Sequence, residues 1–183
     1  NVTNNVFIDG EVIVQLSDLS LWSVTFSPTT VILGQNVTIE TAVENQGRQN
    51  ATFTVTSYYK NVTGWVEIGT QGVTNLTAGD NAYPSFVLNS TGVPLGTYLI
   101  CANASVLFGE VDIADNSLVA DDAVSIIPEV HDIAVKSVTA SPIEVAVGGI
   151  VSIDVTVENQ GNMPETFDLS VRRNTIVIET RKT

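Results

Sequence analysis

The pentapeptide Val-Glu-Asn-Gln-Gly stands twice in this chain, at Val43 to Gly47 and at Val157 to Gly161. The two starts lie 157 − 43 = 114 residues apart, so 183 residues hold one whole unit of that size and part of another. Asp18 to Tyr59 aligns with Asp132 to Arg173 at this spacing without a gap: Ser27-Pro28 falls on Ser141-Pro142, Gly34 on Gly148 and Phe53 on Phe167. Self-similarity at a fixed interval marks a series of like structural units.

Alternation gives the repeat its physical content. Val37, Ile39, Thr41 and Val43 share one parity, as do Val151, Ile153, Val155 and Val157, while Thr38, Glu40 and Glu44 take the other. Period two over this length is a strand with one buried face. Asn-Gln-Gly is expected to close a hairpin, because Asn and Gly tolerate the positive φ of such turns, with Phe53, Val55 and Ser57 returning as the next strand. The Ser-Pro pairs are expected to break the preceding strand at a sheet edge. Further strands are expected over 64–71, 82–88, 96–107 and 118–127, each bounded by Gly, Asn, Asp or Pro. Short strands at such spacing, without a helical stretch, indicate an antiparallel β-sandwich of about seven strands.

The chain therefore reads as all-β and immunoglobulin-like in four parts. Residues 17–127 form a complete sandwich, 128–131 a linker and 132–183 the first half of a second sandwich. Residues 1–16 form a spare strand, since Asn5-Val6-Phe7-Ile8 followed by Val12-Ile13-Val14 is similar to Asn116-Ser117-Leu118-Val119 followed by Ala123-Val124-Ser125.

The pattern S-P-x-x-V-x-x-G-x-x-V-x-I-x-x-x-V-x-N-x-G resembles the CARDB family, the cell-adhesion-related domain found in bacteria and archaeal surface proteins. So do Leu95-Gly96-Thr97-Tyr98-Leu99-Ile100 and Asp115-Asn116 further on. The resemblance implies an immunoglobulin-like sandwich on an extracellular protein and carries no catalytic residues with it.

A half sandwich leaves its apolar row wet. Burying each such side chain is worth roughly 1.5–3 kcal/mol, so the row as a whole outweighs the total stability of a typical domain. Val135, Val151, Ile153, Val155, Val157, Phe167 and Leu169 are thus expected to form an acceptor surface. Its cover is either the missing strands, following in a longer parent polypeptide of such repeats, or a donor strand from a neighbouring copy, carried by Val6, Phe7, Ile8, Val12 and Val14.

Charge narrows the partners. Seven Lys and Arg stand against 20 Asp and Glu, a formal net charge of −13, which repels nucleic acid and anionic lipid. No run approaches the roughly 18 apolar residues of a bilayer span. The absence of an initiator Met and of a signal-like segment reads as a processed or excised piece, with any anchor outside it.

Asn-X-Ser/Thr occurs at Asn1, Asn36, Asn50, Asn61, Asn75, Asn89 and Asn103, against about three expected by chance from 15 Asn. Their predicted outward or turn positions make them candidate acceptors of N-linked glycans. Asp112, Asp115, Asp121 and Asp122, with Asp80 and Glu110 near in sequence, could hold calcium, but their spacing departs from the D-x-D-x-D-G series and also suits a solvated acidic loop. One His (His131, in the linker) and one Cys (Cys101) leave zinc sites and Cys-His catalysis without parts, and no other cofactor is expected. Cys101 takes outward parity, so it is either covered by a neighbour or an unpaired thiol. Trp22, which corresponds to Lys136 in the second copy, is either a stacking platform for a sugar or another domain, or a partly covered surface aromatic. Gly148-Gly149 reads as a turn. The expected function is that of an extracellular, non-enzymatic structural protein in a glycosylated surface filament, stalk or S-layer-like assembly. The alternatives are an accessory module of a secreted hydrolase or a calcium-dependent adhesin.

Overall fold

The computed structural model of the chain describes residues 17–182. Val6, Phe7, Ile8, Val12, Val14 and Asn1 lie outside the described residues. Two compact units divide between Ile127 and Pro128, and the fold is an immunoglobulin-like β-sandwich.

In the first unit, one sheet is built from β1 (Leu19–Ser27), β3 (Asn36–Asn45), β6 (Asn81–Ala82) and β7 (Ser85–Asn89), with β3 central. The other runs in the order β2 (Thr30–Ile32), β9 (Ser117–Ile127), β8 (Gly96–Ala104), β4 (Ala51–Asn61), β5 (Gly64–Leu76). The alternating face of β3 is inward: Val37, Ile39 and Val43 are fully buried against Phe53 and Val55 of β4, Phe86 and Leu88 of β7, and Ile100 of β8. The buried hydroxyls are satisfied, Thr41 Oγ1 donating to the Pro84 carbonyl at 2.9 Å and Ser57 Oγ to that of Cys101 at 3.3 Å.

The predicted hairpin after β3 is an arch. β4 lies in the opposite sheet, because both sides of β3 are already occupied, by β1 on one and by β6 and β7 on the other. Asn45 is fully buried inside the arch. Its Nδ2 donates to the carbonyls of Gln49 (2.8 Å) and Leu76 (2.9 Å), and its Oδ1 accepts from Gly47 N (3.1 Å). The turn-forming residues are present as expected, but they steer the chain across the core.

Proline acts twice. Pro28 ends β1, and the chain resumes as β2 in the other sheet, where Thr30, Val31 and Ile32 pair in parallel with Ser125, Ile126 and Ile127. Pro84 splits the strand expected over 82–88. Lacking an N–H, it contributes only its carbonyl, which accepts from Thr41 N at 3.0 Å. Parity also fails at Cys101. The β8–β9 pairing shifts register between Leu99 and Cys101, so Ile100, Cys101 and Ala102 are all buried.

The second unit comprises two ribbons, β10 (Ile133–Ser141) with β11 (Ser152–Asn159) and β12 (Asp168–Arg173) with β13 (Ile176–Lys182). The β10–β11 register reproduces β1–β3 residue for residue at the spacing of 114: Leu19 opposes Asn45 as Ile133 opposes Asn159, and both pairs carry a bulge, at Leu21/Ser23 and at Val135/Ser137. Residues 128–131, expected as a linker, are tied to the turn after β11. Val130 N donates to Asn162 Oδ1 at 2.8 Å, and Asn162 Nδ2 donates to the Pro128 carbonyl at 3.0 Å.

Candidate functional site

The candidate surface with the largest energetic consequence is the inner face of the second unit. Val37 and Ile39 of β3 are both 0% exposed, whereas their counterparts, Val151 just before β11 and Ile153 within it, are 39% and 36% exposed. Val135 is exposed as well, while Val155, Val157, Phe167 and Leu169 are half-buried. The backbone register is the same in both units, so the difference arises from what covers the face. In the first unit β7, beside β3, and β8 and β9, in the opposite sheet, add Phe86, Leu88, Ile100 and Val124 to that core, and the described residues of the second unit hold no counterpart of those strands.

Six of the seven sequons fall among the described residues. Asn36, Asn50, Asn75, Asn89 and Asn103 are exposed and Asn61 is half-exposed, at the β4–β5 turn. Among the described residues, hydrogen bonding leaves most of the candidate Nδ2 atoms free. Asn61 Oδ1 accepts from the backbone N–H of Thr63 (2.8 Å) and Gly64 (3.0 Å), Asn89 Oδ1 from Thr91 N (2.8 Å) and Asn103 Oδ1 from the Ser117 hydroxyl (2.7 Å). Asn50 differs, its Nδ2 donating to Asn75 Oδ1 at 3.1 Å.

The acidic residues do not converge. Among the described residues no group of three or more His, Cys, Asp or Glu could hold a metal ion. Asp112 Oδ1 accepts from Ala114 N at 3.2 Å within its own loop, and Asp121 and Asp122 lie exposed within β9. Glu110 is a clamp: its two carboxylate oxygens accept from Leu19 N at 2.8 Å and Leu107 N at 2.7 Å, pinning the β8–β9 loop to the start of β1. Sequence reasoning placed Glu110 with the calcium candidates because contacts across 91 residues leave no local mark.

Burial pushes the Cys101 thiol up to about 11. His131 is exposed, and its Nδ1 meets Glu165 Oε1. That hydrogen bond, followed by the charge of Glu165, raises the imidazole above its ordinary value. Trp22 is 55% exposed on the outer face of the β1–β3–β6 sheet, with Nε1 donating to Asn81 Oδ1 at 2.9 Å. Among the described residues no helix is long and apolar enough to cross a membrane.

Comparison with known proteins agrees with this architecture. No curated protein matches the chain. A CARDB domain from Pyrococcus furiosus, whose crystal structure is in complex with di-metal ions, is 20% identical with a TM-score of 0.51; the match covers 64% of this chain and all of that domain. The solution structure of the same domain gives 0.45 at 20% identity, covering 62% of this chain and 97% of that one. A β-glucosidase from Erythrobacter marinus gives 0.48 at 14% identity, covering 61% of this chain and only 16% of the enzyme. The CARDB family model matches residues 16–118, more than half of the sequence. The chain belongs to the CARDB family of non-catalytic, immunoglobulin-like, adhesion-related modules, a domain type of surface-related proteins.

Proposed function

We propose that this chain is an extracellular structural protein, a subunit or segment of a glycosylated cell-surface filament, stalk or S-layer-like assembly, and that it has no enzymatic role. The observation that carries the reading is the contrast between Ile39, fully buried, and Ile153, 36% exposed at the same place in the repeat. An apolar face of that kind is stable only under a partner, and an unpaired strand edge makes the same demand. The cover is a strand from a neighbouring copy, carried by Val6, Phe7, Ile8, Val12 and Val14, or the strands of a flanking repeat. Either arrangement joins sandwiches into an elongated series. The exposed asparagines at 36, 50, 75, 89 and 103 and half-exposed Asn61 would then carry the sugar coat, together with Asn1.

Electron microscopy and sedimentation of the full chain, alone and with Phe7→Asp and Val12→Asp, test the proposal. Strand donation predicts regular linear chains for the parent and dispersed particles for the variants. A parent that stays monomeric at every concentration removes strand donation and leaves tandem linkage.

A further inference from the structure

The bulge in β1 makes a surface that the second unit lacks. Bulges re-aim a side chain, and both units carry one at the same place, centred on Trp22 in the first and Lys136 in the second. In the second unit Lys136 Nζ lies 3.0 Å from Glu158 Oε2. At the constant spacing of 114, Glu158 corresponds to Glu44, so the first unit keeps the carboxylate and replaces its cation by an indole. That indole does not hang free: its Nε1 reaches across β3 to Asn81 Oδ1 on β6.

The neighbourhood is built around it. Ala42 has outward parity on β3, between exposed Glu40 and half-exposed Glu44, and yet is only 4% exposed. Tyr83 is 67% exposed and follows Asn81 by two residues, about 7 Å in extended backbone, with the same outward parity. The result is two exposed aromatic rings on one sheet face, with a polar rim. Asn81 uses Oδ1 on the indole and keeps Nδ2 as a free donor, and Glu44 accepts from Gln46 Nε2 at 3.0 Å with further acceptor capacity.

We propose that Trp22, Tyr83, Asn81 and Glu44 form a shallow binding site for a neutral pyranoside. The C–H face of a pyranose ring is apolar and flat, and it matches an aromatic plate. Its hydroxyls both donate and accept, which suits a free amide N–H and a carboxylate side by side. The platform contains no cation, and the net charge of −13 opposes anionic sugars. Orientation of the indole by Asn81 before binding lowers the ordering cost of a weak, solvent-open contact.

The test is saturation-transfer NMR on the full chain produced without glycans, with cellobiose, chitobiose and mannobiose as probes at concentrations up to about 20 mM, a range set for millimolar affinity. At least one disaccharide is expected to receive saturation at its ring C–H protons and to bind at least tenfold more weakly to Trp22→Lys. This variant installs the residue that the second unit carries there, facing the same carboxylate, and its melting temperature reports that the fold is kept. Tyr83→Ala is expected to weaken the same probe and serves as the reporter should Trp22→Lys fail to fold. The proposal is overturned by absence of transfer to all three sugars, or by binding that survives both substitutions unchanged.

Discussion

The side-chain amide of Asn45, at the end of β3, donates to the carbonyl of Leu76, at the end of β5 in the opposite sheet, at 2.9 Å. One buried residue thereby ties the two layers together at the arch. Asn45→Ala would leave the carbonyls of Gln49 and Leu76 and the N–H of Gly47 without this partner. The expected loss is about 2–3 kcal/mol, from the price of unmade buried hydrogen bonds. Among the described residues the side chain of its counterpart Asn159 bonds only Met163 and Gly161, in an exposed turn, so Asn159→Ala should cost under about 1 kcal/mol. Urea unfolding of the two variants checks the difference.

The open face of the second unit predicts a second asymmetry. Ile39→Ala should destabilise the first unit by about 2–5 kcal/mol, as for other core truncations. Ile153→Ala should have little effect in dilute solution, because its side chain is already partly wet. In the proposed assembly the gap should narrow, since Ile153 would then be covered. Thermal melts of dilute and assembled material compare the two directly.

Cys101 is expected to be inert. With the side chain buried and the thiol pushed up to about 11, the thiolate is scarce at neutral pH and the sulfur is out of reach. Alkylation by iodoacetamide at pH 8 should be absent from the native protein and complete in denaturant. Rapid labelling without denaturant would contradict the packing of β8.

His131 should make the second unit sensitive to pH. Its folded value lies above the ordinary 6.5 because Glu165 hydrogen-bonds and attracts the charged ring, with Glu129 adding to this. The ion pair is complete below 6.5, and its contribution disappears as pH rises through the raised folded value. NMR titration of the imidazole should give a midpoint above 6.5, and Glu165→Gln should move it back down.

Much of this architecture was legible before any coordinates, for reasons that differ from element to element. The period-two pattern of Val37 to Val43 and of Val151 to Val157 marks a buried strand face, because burial acts on alternate residues of any strand. The same local signal cannot say which sheet the next strand joins. Asn45-Gln46-Gly47 serves equally well for a hairpin or an arch, and the choice rests on β1, β6 and β7 flanking β3, which are distant in sequence. The outward position of Asn36 and Asn103 followed from parity. Parity misplaced Cys101 because a register shift between β8 and β9 interrupts it. Trp22 was visible as a departure from the repeat, but its hydrogen bond to Asn81 and its neighbour Tyr83 depend on a chain crossing 59 residues away.

The parallel pairing of β2 with β9 has a mechanical consequence. Tension between Ser17 and Ile127 would run along β1 into β2 and leave through β9. It would load the Ser125 N to Thr29 O (2.8 Å) and Leu33 N to Ile127 O (2.9 Å) bonds, and those between them, in shear and together. Bonds that share a load resist far better than bonds opened one after another. Under a stretching force the first unit would therefore hold its length until the β2–β9 bonds give way as a group.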